Sequence, residues 1–211
     1  SKDPDMNPRL RSAIQSARSS NMPKDNIERA INKSEINKDT NYNSLLYEGF
    51  GPEKIAIIVE ALTDNKNRTA SNIRTIFQKN GGNLGTTGVA SHQFQHVGVI
   101  RVDKLKISDN DILELAINAG AKDCISNNSH HEIITLKENF YKVKVEIEKN
   151  IKEFVSSGIE WLPLNKISLD VERTKSVLTF LELLEDDDDV QYVYANLEVN
   201  NSSSMKDTSI W

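Results

Sequence analysis

Cysteines, export signals and long apolar runs are scarce or absent in this chain. Cys124 is the only cysteine among 211 residues, which excludes an internal disulfide framework and a cysteine-rich zinc site. No apolar run approaches the roughly 20 residues that a membrane-spanning helix needs, and the first residues lack the charged-then-apolar pattern of an export signal. We therefore expect no membrane partner and a reducing compartment, either the cytoplasm or, in a eukaryote, the mitochondrial matrix.

Patterns of catalytic or metal-binding side chains are also missing. His92 and His96 are four residues apart in a strand pattern, too far along it to share a metal easily, while His130 and His131 adjoin and point to opposite faces. The glycines of 81–85 end a predicted helix and no Lys-Ser/Thr pair follows them, so they do not form a phosphate-binding loop. Since no convergent set of titratable residues is evident, we expect no enzyme, no metal and no cofactor.

The net charge of −5 is unevenly distributed along the chain. Residues 1–102 contain 14 Lys and Arg against 10 Asp and Glu, whereas residues 103–211 contain 12 against 21. The first part is therefore suited to approach phosphate groups, and the second part would be repelled by them. Many asymmetries of this size reflect only solvated surfaces, so the charge pattern suggests a nucleic-acid partner without establishing one.

The first 44 residues predict a small helical domain. Asn7 is placed to cap a helix that has Pro8 at its first position, and Pro23 starts a second helix. Both helices carry apolar residues at helical spacing, namely Leu10, Ala13, Ile14 and Ala17 on the first and Ile27, Ala30 and Ile31 on the second. The polar stretch 37–43 is predicted to be a linker.

The rest of the chain alternates between strand and helix patterns. The predicted strands are 55–62, 89–94, 97–102, a hairpin from 124 to 136, 159–171 and 190–199, and the predicted helices are 68–79, 108–120, 138–156 and 173–184. The final helix and strand complete a ferredoxin-like β-α-β-β-α-β sheet with the first ones. The fold class is therefore α+β, with domains at 1–44, at 45–103 joined to 172–200, and at 104–171 as an insertion, before a polar tail at 201–211.

Five sequence blocks resemble a known family. They are Asp3-Pro4-Asp5-Met6-Asn7-Pro8-Arg9-Leu10-Arg11, Asn21-Met22-Pro23-Lys24-Asp25-Asn26-Ile27-Glu28-Arg29-Ala30-Ile31, Tyr47-Glu48-Gly49-Phe50-Gly51-Pro52, Leu62-Thr63-Asp64-Asn65-Lys66-Asn67-Arg68-Thr69 and Gly81-Gly82-Asn83-Leu84-Gly85. Together they are similar to the YebC/PmpR family, which includes the mitochondrial translational activator of cytochrome oxidase. The resemblance covers residues 3–199 and is weaker in 104–171.

The resemblance implies a three-domain regulator of gene expression without assigned catalytic residues. Bacterial members are described as DNA-binding transcriptional regulators, and others assist the ribosome during translation. Members begin with a strongly basic helical segment that is absent from this chain, so we expect any affinity supplied by that segment to be missing. The stretch 91–96 is more polar than the corresponding strand of the family.

Two groups of polar, mostly basic residues are the candidate nucleic-acid contacts. The first group lies on the two N-terminal helices and consists of Arg9, Arg11, Arg18, Lys24, Arg29 and Lys33. The second lies along the helix predicted at 68–79 and consists of Lys66, Asn67, Arg68, Arg74 and Lys79. Lys66 and Arg68 mark a helix N-terminus, where backbone N–H groups and the helix dipole favour phosphate. Because no base-reading cluster is evident, we expect binding with little sequence specificity.

Each group also has a purely structural interpretation. Glu28 is placed to pair with Lys24 one turn away. Asp64 and Asn67 are placed to cap the second-group helix, which would leave its basic residues simply solvated. The sequence does not decide between contact with nucleic acid and solvation.

Tyr192 and Tyr194 alternate with Val193 and Ala195 on the last predicted strand. If the two aliphatic residues face the core, the tyrosines face outward and are available to stack on RNA bases. Burial of both tyrosines in a contact between domains is the favoured interpretation.

The preferred function is a nucleic-acid-associated regulator that acts on translation by associating with the ribosome, as a monomer. An acidic second half suits a particle of mixed RNA and basic protein better than bare duplex DNA. The alternative is a DNA-binding transcriptional regulator. A small-molecule-sensing domain is a third hypothesis, because ferredoxin-like folds often hold ligands between sheets.

Overall fold

The computed structural model describes residues 7–19, 22–36 and 42–199. Its helices are α1 (Pro8–Ser19), α2 (Lys24–Ile36), α3 (Lys66–Lys79), α4 (Asp109–Ala119), α5 (Phe140–Glu148) and α6 (Val171–Glu185). Its strands are β1 (Asn43–Phe50), β2 (Ala56–Thr63), β3 (Asn83–Leu84), β4 (Phe94–Asp103), β5 (Asp123–Ser126), β6 (His130–Leu136), β7 (Ser156–Pro163), β8 (Ile167–Ser168), β9 (Val190–Ala195) and β10 (Leu197–Glu198). The predicted tail and most of the predicted linker lie outside the described residues.

The chain divides into two compact units. Unit 1 comprises Ser1–Lys38 and His96–Glu160, and unit 2 comprises Asp39–Gln95 and Trp161–Trp211. The chain thus enters the second part of unit 1 through β4 and leaves it through β7. The residue boundaries of the three domains expected from the sequence remain a prediction.

The sheet of unit 1 has the ferredoxin-like strand order. Its strands lie in the order β5-β6-β4-β7, and the chain runs β4-α4-β5-β6-α5-β7. Helix α4 begins where the Ser108 hydroxyl accepts the Asp111 N–H and ends at Gly120 in a left-handed conformation, as the sequence predicts. Ile100 and Ile133 from the sheet pack with Ile112 and other apolar residues of α4 and α5 into a buried core.

The sheet of unit 2 has the order β3-β1-β2-β9. Strands β1 and β2 form an antiparallel hairpin, and β9 pairs antiparallel with the other edge of β2. Helices α3 and α6 supply apolar side chains to one core, in which the rings of Phe77 and Phe180 meet edge to face at 5.0 Å. This is the ferredoxin-like strand order with β1 in the place of the third strand. The α+β class and the two ferredoxin-like sheets, one inserted in the other, are therefore confirmed.

Several predicted strands are wrong in position or partner. Residues 89–93 form turns and a short 3-10 segment instead of a strand, and the run 97–102 belongs to β4, which begins at Phe94 and lies in the sheet of unit 1. Strand β1 was not predicted, because its inward and outward positions differ little in polarity. The predicted strand 159–171 is interrupted after Pro163, whose missing N–H suits a strand end. Helix α5 is also shorter than the predicted 138–156.

A buried carboxylate holds the segment that follows β3 against the sheet. Glu48 of β1 is buried, and its oxygens accept backbone N–H groups from Gly88, Ala90 and Ser91 at 2.8–3.0 Å. Burial alone would raise the pKa of Glu48, but these hydrogen bonds outweigh it and lower the pKa below its ordinary value. The turns of 85–93 therefore have a fixed place on the face of β1 and β2 opposite the helices.

We expect Glu48→Gln to destabilise the protein in a pH-dependent way. The free energy of unfolding should fall by about 1–3 kcal/mol at neutral pH, because three N–H groups lose a charged acceptor. Since the pKa of Glu48 is lowered from 4.5 in the folded state, its contribution is present above that value and is lost as pH falls through the lowered pKa. Denaturant unfolding at several pH values measures the difference. The exposed carboxylate of Glu114 supplies the control variant, Glu114→Gln, and an equal loss at every pH would contradict the assignment.

Candidate nucleic-acid interface

The first candidate group lies on α1 and α2, which belong to unit 1. Asn7 caps α1 as predicted, since its Oδ1 accepts the Leu10 N–H at 3.1 Å. Arg18, Lys24 and Arg29 are exposed, and Arg11 is half-buried. Arg9 and Lys33 lie on these helices too, but their side chains are outside the described part of the structure.

Two members of this group are less available to a phosphate than the other described members. Lys24 Nζ lies 3.5 Å from Glu28 Oε1, the one-turn ion pair expected as the structural alternative. Arg11 is half-buried beside the Lys144 ammonium of α5, so it is less accessible than the exposed arginines. Arg18 and Arg29 are therefore the residues of this group best suited to meet a nucleic acid.

A buried lysine attaches α1 to α5. Lys144 is only 4% exposed, and its Nζ donates to Ser12 Oγ at 2.9 Å and to Gln15 Oε1 at 2.7 Å. Burial lowers the pKa of Lys144, and the nearby Glu148 carboxylate partly opposes that shift. Gln15 also donates to Glu148 Oε1 at 3.1 Å. These contacts fix the helix that carries Arg11 and Arg18.

The position of Lys144 could have been read from its helix. Phe140 and Ile147 are buried one turn to either side of it, so the apolar stripe of α5 passes through this lysine. A lysine on such a stripe needs polar partners from another element. No local pattern in the sequence indicates that those partners lie on α1.

The second candidate group lies on α3 of unit 2, and all five of its residues are exposed. The helix is capped by Asn65, whose Oδ1 accepts the Arg68 N–H at 3.1 Å. The capping roles considered for Asp64 and Asn67 are therefore wrong. Lys66 and Asn67 occupy the first two helical positions, and Lys79 lies at the other end, roughly 20 Å away at 1.5 Å per residue.

Arg68 is engaged in a cluster within unit 2. Its Nη2 lies 2.8 Å and 2.9 Å from the two carboxylate oxygens of Asp189 and 3.0 Å from Asp64 Oδ1. Asp189 also accepts the Thr69 hydroxyl at 2.7 Å. Burial opposes the charge of Asp189, but hydrogen bonds from Thr69, Arg68 and Thr63 outweigh it and lower the pKa of Asp189. The bond to Asp189 raises the pKa of Arg68 in turn.

This cluster makes the N-terminal end of α3 locally acidic. The Asp186–Asp189 loop lies against the helix. In addition to the contacts of Arg68, the Asn72 side chain donates a hydrogen bond of 3.1 Å to Asp187 Oδ2. A phosphate approaching Lys66 would meet these carboxylates. Arg74 lies about 9 Å beyond Arg68 along the helix axis, at 1.5 Å per residue, and occupies an exposed position. Within the second group, Arg74 and Lys79 are therefore better placed for phosphate than Lys66 or Arg68.

The eleven predicted residues thus lie on two separate sets of helices. The first group shares the α1–α2 pair of unit 1, and the second shares α3 of unit 2. Their assignment as nucleic-acid contacts remains a prediction. The alternation predicted for β9 is observed, since Val193 is buried in the helix-side core while Tyr192 is 52% exposed.

The histidines and acidic residues do not gather into a metal site in the described part of the chain. No group of three or more His, Cys, Asp or Glu residues there could hold a metal ion. His131 is buried, with Nδ1 2.7 Å from Ser126 Oγ and Nε2 3.0 Å from the Ile107 carbonyl. Among the described residues, no helix is long and apolar enough to cross a membrane.

Comparisons with known proteins cover nearly the whole chain. The family model for the TACO1/YebC second and third domain matches residues 42–197, and the model for the TACO1/YebC N-terminal domain matches residues 1–37. A probable transcriptional regulatory protein of Pelagibacter ubique is 61% identical over 201 residues, which cover 95% of this chain and 83% of that protein. The crystal structure of a conserved hypothetical protein from Aquifex aeolicus is similar with a TM-score of 0.82 and 39% identity, over 97% of this chain and 85% of that one.

Replacing Arg68 or Arg74 by Ala should separate structural from binding roles on α3. Arg68→Ala should lower the melting temperature, because the Asp189 carboxylate loses its cation. Arg74→Ala should leave the free energy of unfolding unchanged within about 0.5 kcal/mol and reduce the slope of log RNA affinity against log salt by about 0.7, the value for one contact to a single-stranded phosphate. Thermal unfolding and salt-titrated binding to a mixed-sequence RNA measure both effects. A change of salt slope without loss of stability in Arg68→Ala would contradict its structural role.

Lys144→Met should loosen α1 without unfolding the sheet of unit 1. The change keeps an unbranched side chain, one atom shorter, but removes two hydrogen bonds from a charged donor, so amide exchange in 10–19 should accelerate roughly tenfold or more. Hydrogen exchange followed by mass spectrometry resolves this segment from β4 and β6, which should stay protected. Lys142→Met, at an exposed position of the same helix, is the matched control. Unchanged exchange of α1 would show that the lysine does not anchor it.

Proposed function

Because the chain belongs to the TACO1/YebC family, we propose that it is a nucleic-acid-associated regulator of gene expression that acts on translation by associating with the ribosome. The observation that carries this proposal is the pair of exposed arginines, Arg18 and Arg29, on the helices that match the family's N-terminal domain. Cations on a helix surface can lie along a phosphate backbone without reading bases. Arg74 and Lys79 supply a second set of proposed contacts.

The distribution of charge favours a ribosome over bare duplex DNA. A duplex presents phosphates on all sides, so the acidic residues of 103–211 and the carboxylates around the N-terminus of α3 would be repelled by it. A ribosome presents RNA beside basic protein, and a protein with cations on one set of helices and carboxylates elsewhere can satisfy both.

Transcriptional regulation is the second candidate. It is favoured by the description of the Pelagibacter ubique relative as a probable transcriptional regulatory protein. The same exposed arginines would then contact DNA phosphates, with little discrimination among sequences. The two candidates share the contact residues and differ in the partner, so a direct competition can separate them.

Co-sedimentation with ribosomes over a salt series tests the proposal. We expect the protein to pellet with ribosomes at salt concentrations that release it from duplex DNA in a parallel gel-shift assay. Arg18→Ala combined with Arg29→Ala should reduce the slope of log affinity against log salt by about 1.4, the value for two contacts to single-stranded phosphates.

The control variant is Lys149→Ala with Lys152→Ala, which changes the net charge equally at sites already bonded to Glu146 and to the Glu148 carbonyl. This variant should pellet as the unmodified protein does. Failure to pellet with ribosomes, together with salt-resistant binding to duplex DNA, would replace translation by transcription as the function.

A further inference from the structure

The sheet of unit 2 has a second face, opposite α3 and α6, that is only partly covered. Ala56 and Ile58 of β2 are buried on this face beneath Ala90 and Phe94, and Trp161 and Tyr194 pack against the same cluster. The hydrogen bonds that Gly88, Ala90 and Ser91 donate to Glu48 hold the covering segment in place. The cover therefore protects the half of the face nearest the β1–β2 turn.

The other half of this face consists of a row that crosses three strands. Leu46 of β1 lies opposite Glu60 of β2, and Glu60 lies opposite Tyr192 of β9. Leu62 follows on the same side of β2, opposite Ser44. Leu46, Leu62 and Tyr192 are all exposed although they are large and apolar or aromatic. Such a contiguous set is typical of an interaction surface, and we call it the open face.

Glu60 is held in an ordered position at the centre of the open face. Its Oε1 accepts the Trp161 indole N–H at 2.9 Å. Beside it, the rings of Tyr192 and Tyr194 stack with centroids 6.2 Å apart and an interplanar angle of 29°. A carboxylate surrounded by aromatic rings attracts a guanidinium or ammonium group through both an ion pair and cation–π contacts.

Acidic residues outnumber basic ones at the border of the open face, although Arg68 pairs there with Asp64 and Asp189. The Leu62 N–H donates to the Asp189 carbonyl at 2.8 Å, which brings the Asp186–Asp189 loop to the end of the face, and Asp64 directly follows the end of β2 at Thr63. Among the described residues, the outward positions of β1, β2 and β9 on this side include no Lys or Arg. A phosphate backbone would be repelled here, whereas a cationic segment would be attracted.

We propose that the open face binds an extended basic peptide segment of a partner protein, in which Arg or Lys alternates with apolar residues. The strand β9 is the last in the order β3-β1-β2-β9, so an extended segment can lie beside Tyr192 and direct alternate side chains towards the face. The cations, which occupy the alternate positions directed towards the face, contact Glu60 and the aromatic rings, and the apolar residues between them point away from it. This site goes beyond the proposed function, does not depend on it, and uses none of the arginines assigned to phosphate.

Fluorescence anisotropy of a labelled Arg-Val repeat decapeptide tests the proposal. We expect saturable binding that weakens with salt, and a Glu-Val repeat peptide and a labelled oligouridylate should not bind at this face. Tyr192→Ala should weaken binding of the basic peptide at least tenfold, because aromatic anchors dominate such contacts. Glu60→Gln should weaken binding and flatten its salt dependence. Because Trp161 and Trp211 are the two tryptophans of the sequence, Trp211→Phe leaves Trp161 as the sole indole reporter of peptide binding.

The matched control is Leu183→Ala, which truncates a side chain on the helix side of unit 2 that is 41% exposed. It should leave peptide binding unchanged, and circular dichroism should show that all variants are folded. Equal binding by Tyr192→Ala and Leu183→Ala would reduce the interaction to non-specific attraction by an acidic protein and overturn the proposal. Oligouridylate binding that is lost in Tyr192→Ala would replace the peptide by RNA. Neither of these results depends on whether the protein pellets with ribosomes.

Discussion

A carboxylate inside an apolar sheet face must be given hydrogen-bond donors, and in unit 2 that requirement arranges much of what surrounds it. Glu48 obtains its donors from the backbone of 88–91, forty residues farther along the chain. Those turns bring Ala90 and Phe94 over the centre of β2. The same segment does not reach Leu46 and Leu62, which leaves the open face uncovered. The buried charge of Glu48 thus determines which part of the sheet face is covered and which part stays exposed.

Cations in this protein divide into those that serve the fold and those that remain on its surface. Lys144 and Arg68 both satisfy groups of their own chain, the first on α1 and the second at Asp189. Arg18, Arg29 and Arg74 lie at exposed positions instead. Whether a basic residue is structural or available for binding therefore depends on its partners in the folded chain and not on its residue type. The difference matters for nucleic-acid binding, because an arginine already bonded to two carboxylates must lose those bonds before it can neutralise a phosphate.

The sequence predicts the parts of the structure that depend on local chemistry. Ser108 and Gly120 delimit α4 because capping and left-handed backbone are properties of single residues. Strand β1 was missed because the exposed Leu46 and the buried Glu48 share one face, so apolar and charged side chains do not separate onto two faces as in a simple amphipathic strand. The run 97–102 looks the same in either sheet, so its partner β6 could not be identified. Likewise, nothing near Arg68 in the sequence indicates Asp189, which lies 121 positions away.

The strand arrangement of unit 2 has a consequence for synthesis on the ribosome. The edge of β2 that pairs with β9 stays unpaired until residues 190–195 have been synthesised, since Ile57 lies opposite Ala195. The sheet of unit 1, in contrast, is complete once Pro163 has emerged. During N-to-C synthesis, the β1–β2 hairpin therefore exists for more than half the length of the chain without its final strand or α6. The unit whose strands are made first is the last to close, and its unpaired β2 edge is the segment of the nascent protein most exposed to wrong pairing and to chaperones.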